Sequence, residues 1–254
     1  MKPTMILTPY FIDQRSPGLD HLVAPDWIVN RPELLGDDPQ ARMAVLHGKL
    51  AESVETGIRE DRLPVSIAGD CCAAIGVLGG LQRAGIYPHL IWFDAHGDFN
   101  TWETTPSGFL GGMPLAMLTG RGEQTLLEAN QVHPLEDEKV ILTDARDLDP
   151  GERETVEGSR ICHLEDPRSF LERELPRGPL WVHFDTDVMD PEECPAMNFP
   201  APGGPGADTL GEIFRFLRRE GQIRALSLSS WAPELDPNGR SGKICLDLFS
   251  LLYN

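Results

Sequence analysis

Residues 89–101 read HLIWFDAHGDFNT. The run Leu90–Phe93 is apolar at every position, the pattern of a strand covered on both faces. A polar cluster follows at once. Asp94, His96 and Asp98 recur at period two, so an extended segment projects all three to one side. Two acids and an imidazole at the end of a buried strand are costly unless something neutralises them, and a divalent metal does so.

The same grammar recurs at residues 181–191, WVHFDTDVMDP, where Asp185 and Asp187 repeat the period-two spacing. One DxD alone is a weak signal, usually a solvated turn. Two such clusters, each closing an apolar strand, point to convergent carboxylates. A ligand set of oxygens with one imidazole nitrogen favours Mn²⁺ over Zn²⁺.

Working outward, further strands are predicted at Met5–Leu7, Pro64–Ala68, Lys139–Thr143, Arg160–His163, Leu180–Phe184 and Ile223–Leu228. Helical patterns lie between them. In Asp208–Glu220, Leu210, Ile213, Phe214 and Leu217 form one apolar stripe and Gly221 follows as a stop. Other helices are expected over about Asp38–Arg59 and Gly242–Leu252. The alternation predicts a single α/β domain over residues 1–254, three layers deep, with helices on both faces of a mainly parallel sheet. Residues 190–206, DPEECPAMNFPAPGGPG, carry five prolines and three glycines and predict a structured loop after a strand end. Ligands of open α/β sheets bind at such ends.

Composition narrows the function classes. The formal net charge of −18 argues against nucleic acid, which needs clustered Lys and Arg. No stretch approaches the ~18 apolar residues needed to span a bilayer. The N-terminal apolar run is too short for a signal peptide. The five cysteines, Cys71, Cys72, Cys162, Cys194 and Cys245, show neither a disulfide framework nor a CxxC zinc pattern. Free thiols fit a reducing compartment, so a cytoplasmic protein is expected.

These residues carry a family resemblance. DAHGD at 94–98 and DTDVMDP at 185–191 resemble the DAHxD and DxDxxDP motifs of the arginase–agmatinase family, the ureohydrolases. GDCC at 69–72 resembles the family's GGDHS, HGDFNTWETTPSGFLGGMP at 96–114 is similar to arginase throughout, and ARDLDPGE at 145–152 resembles LRDVDPGE. The resemblance implies an arginase-like fold, two Mn²⁺ ions, and hydrolysis of a guanidino C–N bond by water activated between the ions. It makes Asp94 and Asp185 the bridging ligands, Asp98 a ligand of one ion, and His96 and Asp187 ligands of the other. It assigns Asn100, Thr105 and Ser107 to a substrate carboxylate, and Asp149 and Glu152 to its ammonium. An α-amino acid is then the expected partner. Many ureohydrolases are trimers or hexamers, so a homo-oligomer is admitted.

The sequence departs from the family at three places. Cys71 stands where the family has its first metal ligand, a His. As a thiolate ligand it donates more charge than imidazole and admits Fe²⁺ or Zn²⁺. Gly111 stands where arginase has a His thought to shuttle protons. His183, two residues before Asp185, is a candidate substitute, and Asp98 and His183 are the candidate catalytic residues. Ser230 stands near the position of a guanidinium-pairing Glu, with Glu234 four residues on. Cys71 and Gly111 together resemble a narrower group, the Nω-hydroxy-L-arginine hydrolases of D-cycloserine biosynthesis. The leading expectation is therefore a binuclear amidinohydrolase converting Nω-hydroxy-L-arginine to hydroxyurea and L-ornithine. The alternatives are L-arginine or another guanidino or formimino amino acid as substrate, and a non-catalytic relative that binds metal or an amino acid.

Overall fold

Every apolar run read as a strand joins one eight-stranded sheet, with ends displaced by no more than two residues. The computed structural model describes residues 1–254. In chain order come β1 (Pro3–Thr8), a hairpin of β2 (Tyr10–Phe11) and β3 (Gln14–Arg15), β4 (Ile28–Val29), α1 (Pro39–Arg59), β5 (Leu63–Ala68) and α2 (Ala74–Arg83). Then follow β6 (His89–Asp94), α3 (Pro114–Leu118), α4 (Thr125–Ala129), β7 (Val140–Asp144), α5 (Pro150–Gly158) and β8 (Cys162–Leu164). The last elements are β9 (Pro179–Asp185), α6 (Ala207–Glu220), β10 (Gln222–Ser229) and α7 (Arg240–Ser250).

The strand order is β4-β1-β5-β10-β9-β6-β7-β8, and every pairing in it is parallel. A parallel sheet needs cover on both faces, and two apolar cores supply it. On one face Leu90 and Trp92 of β6 pack with residues of α1, α2, α4 and α5. On the other, Ile91 and Phe93 meet the α6 stripe of Leu210, Ile213, Phe214 and Leu217, together with Phe249 of α7. This is the three-layer α/β domain that the alternation predicts. No helix is long and apolar enough to cross a membrane.

The strand order positions the site. From β5 the sheet grows outward through β1 to β4, and from β6 it grows the other way through β7 to β8; β10 and β9 fill the gap. The carboxyl ends of β5, β10, β9, β6 and β7 are therefore contiguous, and they flank the place where the winding reverses. A crevice at such a reversal is where open α/β sheets bind ligands.

Candidate metal centre

Each strand end contributes one part. After β5, Asp70 caps a tight turn: its Oδ1 accepts from Cys72 N–H at 2.8 Å and its Oδ2 from Ile12 N–H at 2.6 Å. This turn aims Cys71 Sγ at β9. The thiol donates to Asp185 Oδ2 at 2.6 Å and lies 3.0 Å from Ser229 Oγ. Asp185 itself is fixed by Asp187 N–H on Oδ1 at 2.9 Å and by the Ser230 hydroxyl on Oδ2. Ser230 adopts the left-handed backbone region, φ 68°, as the chain turns out of β10.

At the end of β6, Asp94 Oδ1 accepts from His96 N–H at 2.7 Å and Oδ2 from Trp92 Nε1–H at 2.9 Å. His96 Nδ1 sits 3.2 Å from Asp187 Oδ2 and 3.5 Å from Asp94 Oδ1. Asp98 is left-handed too, φ 50°, a conformation aspartate tolerates better than most residues. Its carbonyl accepts from Leu115 N–H at 2.9 Å and Ala116 N–H at 3.0 Å, closing the 99–114 loop back onto the ligand.

The electrostatics call for cations. Burial and the neighbouring Asp94 and Asp185 charges push the Asp98 carboxyl well above the usual range. Burial, then Asp185 and Asp94, do the same to Asp187. Burial raises Asp185 to about 6. Burial and the charges of Asp185, Asp98 and Asp94 raise the Cys71 thiol. Burial opposes charge on His96, yet Asp187 and Asp94 lift it to about 12. One oxygen decides the fit: Asp98 Oδ2 is buried with no hydrogen-bond partner, a state native proteins rarely leave uncompensated. A metal ion would compensate it. Ligand atoms of Cys71, Asp94 and Asp98 lie within 4.8 Å of one another, as do those of Asp94, His96 and Asp187. The two groups share Asp94, the arrangement of a carboxylate common to two ions.

A cavity of about 420 Å³ opens above this cluster. Cys71, His96, Asp98, Asp185, Asp187, Ser230 and Gly111 lie on its wall. So do Asn100, Thr105, Ser107, Asp149 and Glu152. Asn100 Nδ2–H donates to Asp149 Oδ2 at 2.9 Å. Glu152 accepts from Phe99 N–H at 2.8 Å and from Asp149 N–H at 3.2 Å, closing a capping box at the start of α5. Burial raises its carboxyl to about 7.

A family model described as the arginase family matches residues 25–252. The chain belongs to the arginase family. Members are hydrolases that cleave guanidino C–N bonds, and the cluster of Asp, His and Cys ligands is the family's binuclear metal centre. The chain is 30% identical over 239 residues to an arginase of Bacillus subtilis (strain 168), covering 88% of this chain and 81% of the relative. It is 32% identical over 216 residues to an arginase of Brucella melitensis, covering 78% and 71%. Among solved structures, arginase from Bacillus subtilis superposes with a TM-score of 0.82 at 26% identity, covering 100% of this chain and 99% of that one. The agmatine ureohydrolase of Thermoplasma volcanium shares the fold, with a TM-score of 0.71 at 13% identity over 99% and 88% of the two chains.

Two placements, those of His183 and Glu234, differ from what the sequence led one to expect of an arginase-family site. His183 lies off the cavity wall, one pleat below the strand end, between its register partners Trp92 and Ser227. Its ring stacks on Trp92 with centroids 3.7 Å apart, Nδ1 is 2.8 Å from Ser227 Oγ, and Nε2 is 3.2 Å from Ser229 Oγ. Burial lowers its pKa to about 3. With both nitrogens engaged and the ring off the cavity wall, His183 supports Ser229 beneath Cys71 and Asp185 and does not itself meet substrate. Glu234 does not reach in: its Oε1 accepts from Gly18 N–H at 3.3 Å, and its side chain lines a separate pocket that adjoins the cavity at Phe11. Gly111 is on the wall, but the place of a Cβ there is taken, since it would lie 2.3 Å from the Phe109 ring.

Sequence reasoning also passed over Arg146, which donates to Asp144 Oδ2 at 2.6 Å and to backbone carbonyls of Asp187, Val188, Ala201 and Pro202. It passed over Phe11, Phe109 and Phe199, which line the cavity. Phe109 stands in the quoted FLGG segment; Phe11 and Phe199 are isolated aromatics with no spacing signal.

Proposed function

We propose that this arginase-family hydrolase acts on Nω-hydroxy-L-arginine, yielding hydroxyurea and L-ornithine. The observation carrying the reading is the cavity wall itself. His96, a metal ligand, is the one histidine on it. Position 111 is a glycine with its side-chain space filled by Phe109, and His183 is walled off. A site without a free imidazole suits a substrate that needs little proton delivery. An N-hydroxyguanidine is less basic than guanidine and more electrophilic when neutral.

Cys71, Asp94, Asp98 and Asp185 would hold one ion, and Asp94, His96, Asp185 and Asp187 the other. Bound there, two Mn²⁺ ions would acidify water and stabilise charge developing on the substrate. The Cys71 thiolate makes the first position softer, so Fe²⁺ or Zn²⁺ also fits. The remaining steps belong to the chain. Asn100, Thr105 and Ser107 orient the substrate carboxylate, and Asp149 and Glu152 its ammonium. Water adds to the guanidino carbon, and Asp98 takes its proton on the carboxylate oxygen that does not face the ion. The bond from that carbon to the ornithine Nδ then breaks, and Asp98 returns the proton to the departing amine. The buried free thiols suit a cytoplasmic setting.

The test measures L-ornithine release by the metal-replete enzyme from both amino acids. kcat/KM is expected to be at least about tenfold higher on Nω-hydroxy-L-arginine than on L-arginine, a barrier difference of about 1.4 kcal/mol. Equal values would remove the basis of the reading.

A further inference from the structure

The cavity wall is rich in carboxyl groups except along one side. Phe11, Phe109 and Phe199 make that side, and they arrive from three separate segments: β2, the loop between β6 and α3, and the loop between β9 and α6. Phe11 and Phe109 stack, with centroids 6.1 Å apart and planes 13° apart. Phe199 lies 5.5 Å from Phe109 and 6.5 Å from Phe11. These are the separations of packed aromatic pairs, so the rings form one continuous apolar strip. Phe199 nevertheless leaves 46% of its surface exposed, which core filling does not explain.

The strip is held in place. Arg146 donates to Ala201 O at 3.0 Å and Pro202 O at 3.1 Å while also bonding Asp187 O at 3.2 Å. The loop that presents Phe199 is thereby tied to the backbone of a metal ligand. Phe109 N–H donates to Ser107 Oγ at 3.2 Å, so this ring and a hydroxyl on the cavity wall share one turn. Beside Phe11, the Ile12 N–H is bonded to Asp70, next to Cys71.

We propose that this strip is the subsite for the aliphatic stem of the substrate and that it selects stem length. The inference rests on the amino-acid reading given above. The cavity wall carries two kinds of polar anchor, the hydrogen-bonded Asn100 and Asp149 and the cluster of metal ligands. A ligand gripped at both ends leaves its connecting methylenes facing water unless an apolar wall covers them. The three rings are that wall. Covering one methylene is worth roughly fourfold in affinity, and three together up to about sixtyfold. The ring of Phe109 over Gly111 thus replaces a polar position on the wall with apolar surface.

The experiment needs no turnover. Calorimetry on the metal-loaded full chain measures binding of L-ornithine, 2,4-diaminobutyrate and 2,3-diaminopropionate, which differ by one methylene each. The wild-type protein is expected to lose roughly fourfold per methylene removed. Phe199→Ala and Phe109→Ala should weaken L-ornithine by about five- to tenfold while moving 2,3-diaminopropionate by less than about twofold. Phe199→Leu should recover part of the loss, and metal content should stay at the wild-type value in each variant. Affinities indifferent to stem length, or equal losses for all three ligands in the alanine variants, would overturn the strip alone. A wild-type protein that binds none of the three would overturn the amino-acid reading along with it.

Discussion

Asp98 Oδ2 is a buried carboxylate oxygen with nothing to bond, and Asp98→Asn tests what it is for. The amide keeps the shape and removes the charge, so one ion should be lost and turnover should fall by at least about a hundredfold. Metal analysis beside a rate measurement checks both. Cys71→His restores the family's usual ligand type and should retain two ions per chain, whereas Cys71→Ala should lose one. At this scale much of the cluster was legible: period-two spacing at the ends of β6 and β9 put five candidate ligands, four aspartates and one histidine, on view. Spacing gave the side on which His183 lies but not its height on the strand. One pleat down, the cross-strand neighbours Trp92 and Ser227 enclose it. The aromatic wall was illegible because its rings come from three distant loops, and only the fold brings them together.

Among the elements, α2 shows why a helix can escape sequence reading. Ala74–Leu81 is buried all round and short, and its three glycines speak against a helix. They are there for contact with α1. A Cβ on Gly80 would lie 2.5 Å from Val54 Cβ and 2.6 Å from Ala51 O. Gly80→Ala should therefore destabilise by about 1–3 kcal/mol, although alanine is the better helix former. Denaturant unfolding measures it; a stabilised variant would contradict the close packing. The short β4 and the β2–β3 hairpin were missed because two-residue strands have no period to detect.

Also on α1, burial lowers the pKa of His47 from 6.5 to about 4, and its Nδ1 has no partner. Neutral in the fold and protonated when unfolded, it contributes stability above pH 6.5 that is lost as pH falls toward 4. That contribution is up to about 3 kcal/mol. His47→Leu should flatten this part of the acid limb of a stability–pH curve, and an unchanged slope would refute the assignment.

For the molecule as a whole, the strand order gathers the ends of β5, β10, β9, β6 and β7 into one crevice, and acidic groups collect there within a chain of net charge −18. Alternation of strand and helix made the layers legible, but strand order was not, because β9 and β10 insert between β5 and β6 from late in the chain. Without cations the site opposes folding near neutral pH. Asp185, raised to about 6, favours the fold in its protonated form, so its contribution is present below 3.8 and lost as pH rises through 6. Metal binds the deprotonated carboxylates and reverses that trend. The gap in Tm between metal-loaded and chelator-treated protein should therefore widen from pH 4 to pH 7. A constant gap would mean that these carboxylates are not the ligands.

A pair of ions with a thiolate in the ligand set of one of them is what sets this site apart from a His-ligated arginase centre. Titrating the metal-free protein with Co²⁺ while recording its absorption spectrum addresses both parts at once. Saturation at two equivalents per chain is expected, with thiolate-to-metal charge-transfer absorption that Cys71→Ser abolishes and Cys72→Ser preserves. Saturation at one equivalent, or a spectrum without that absorption at full occupancy, would contradict the account.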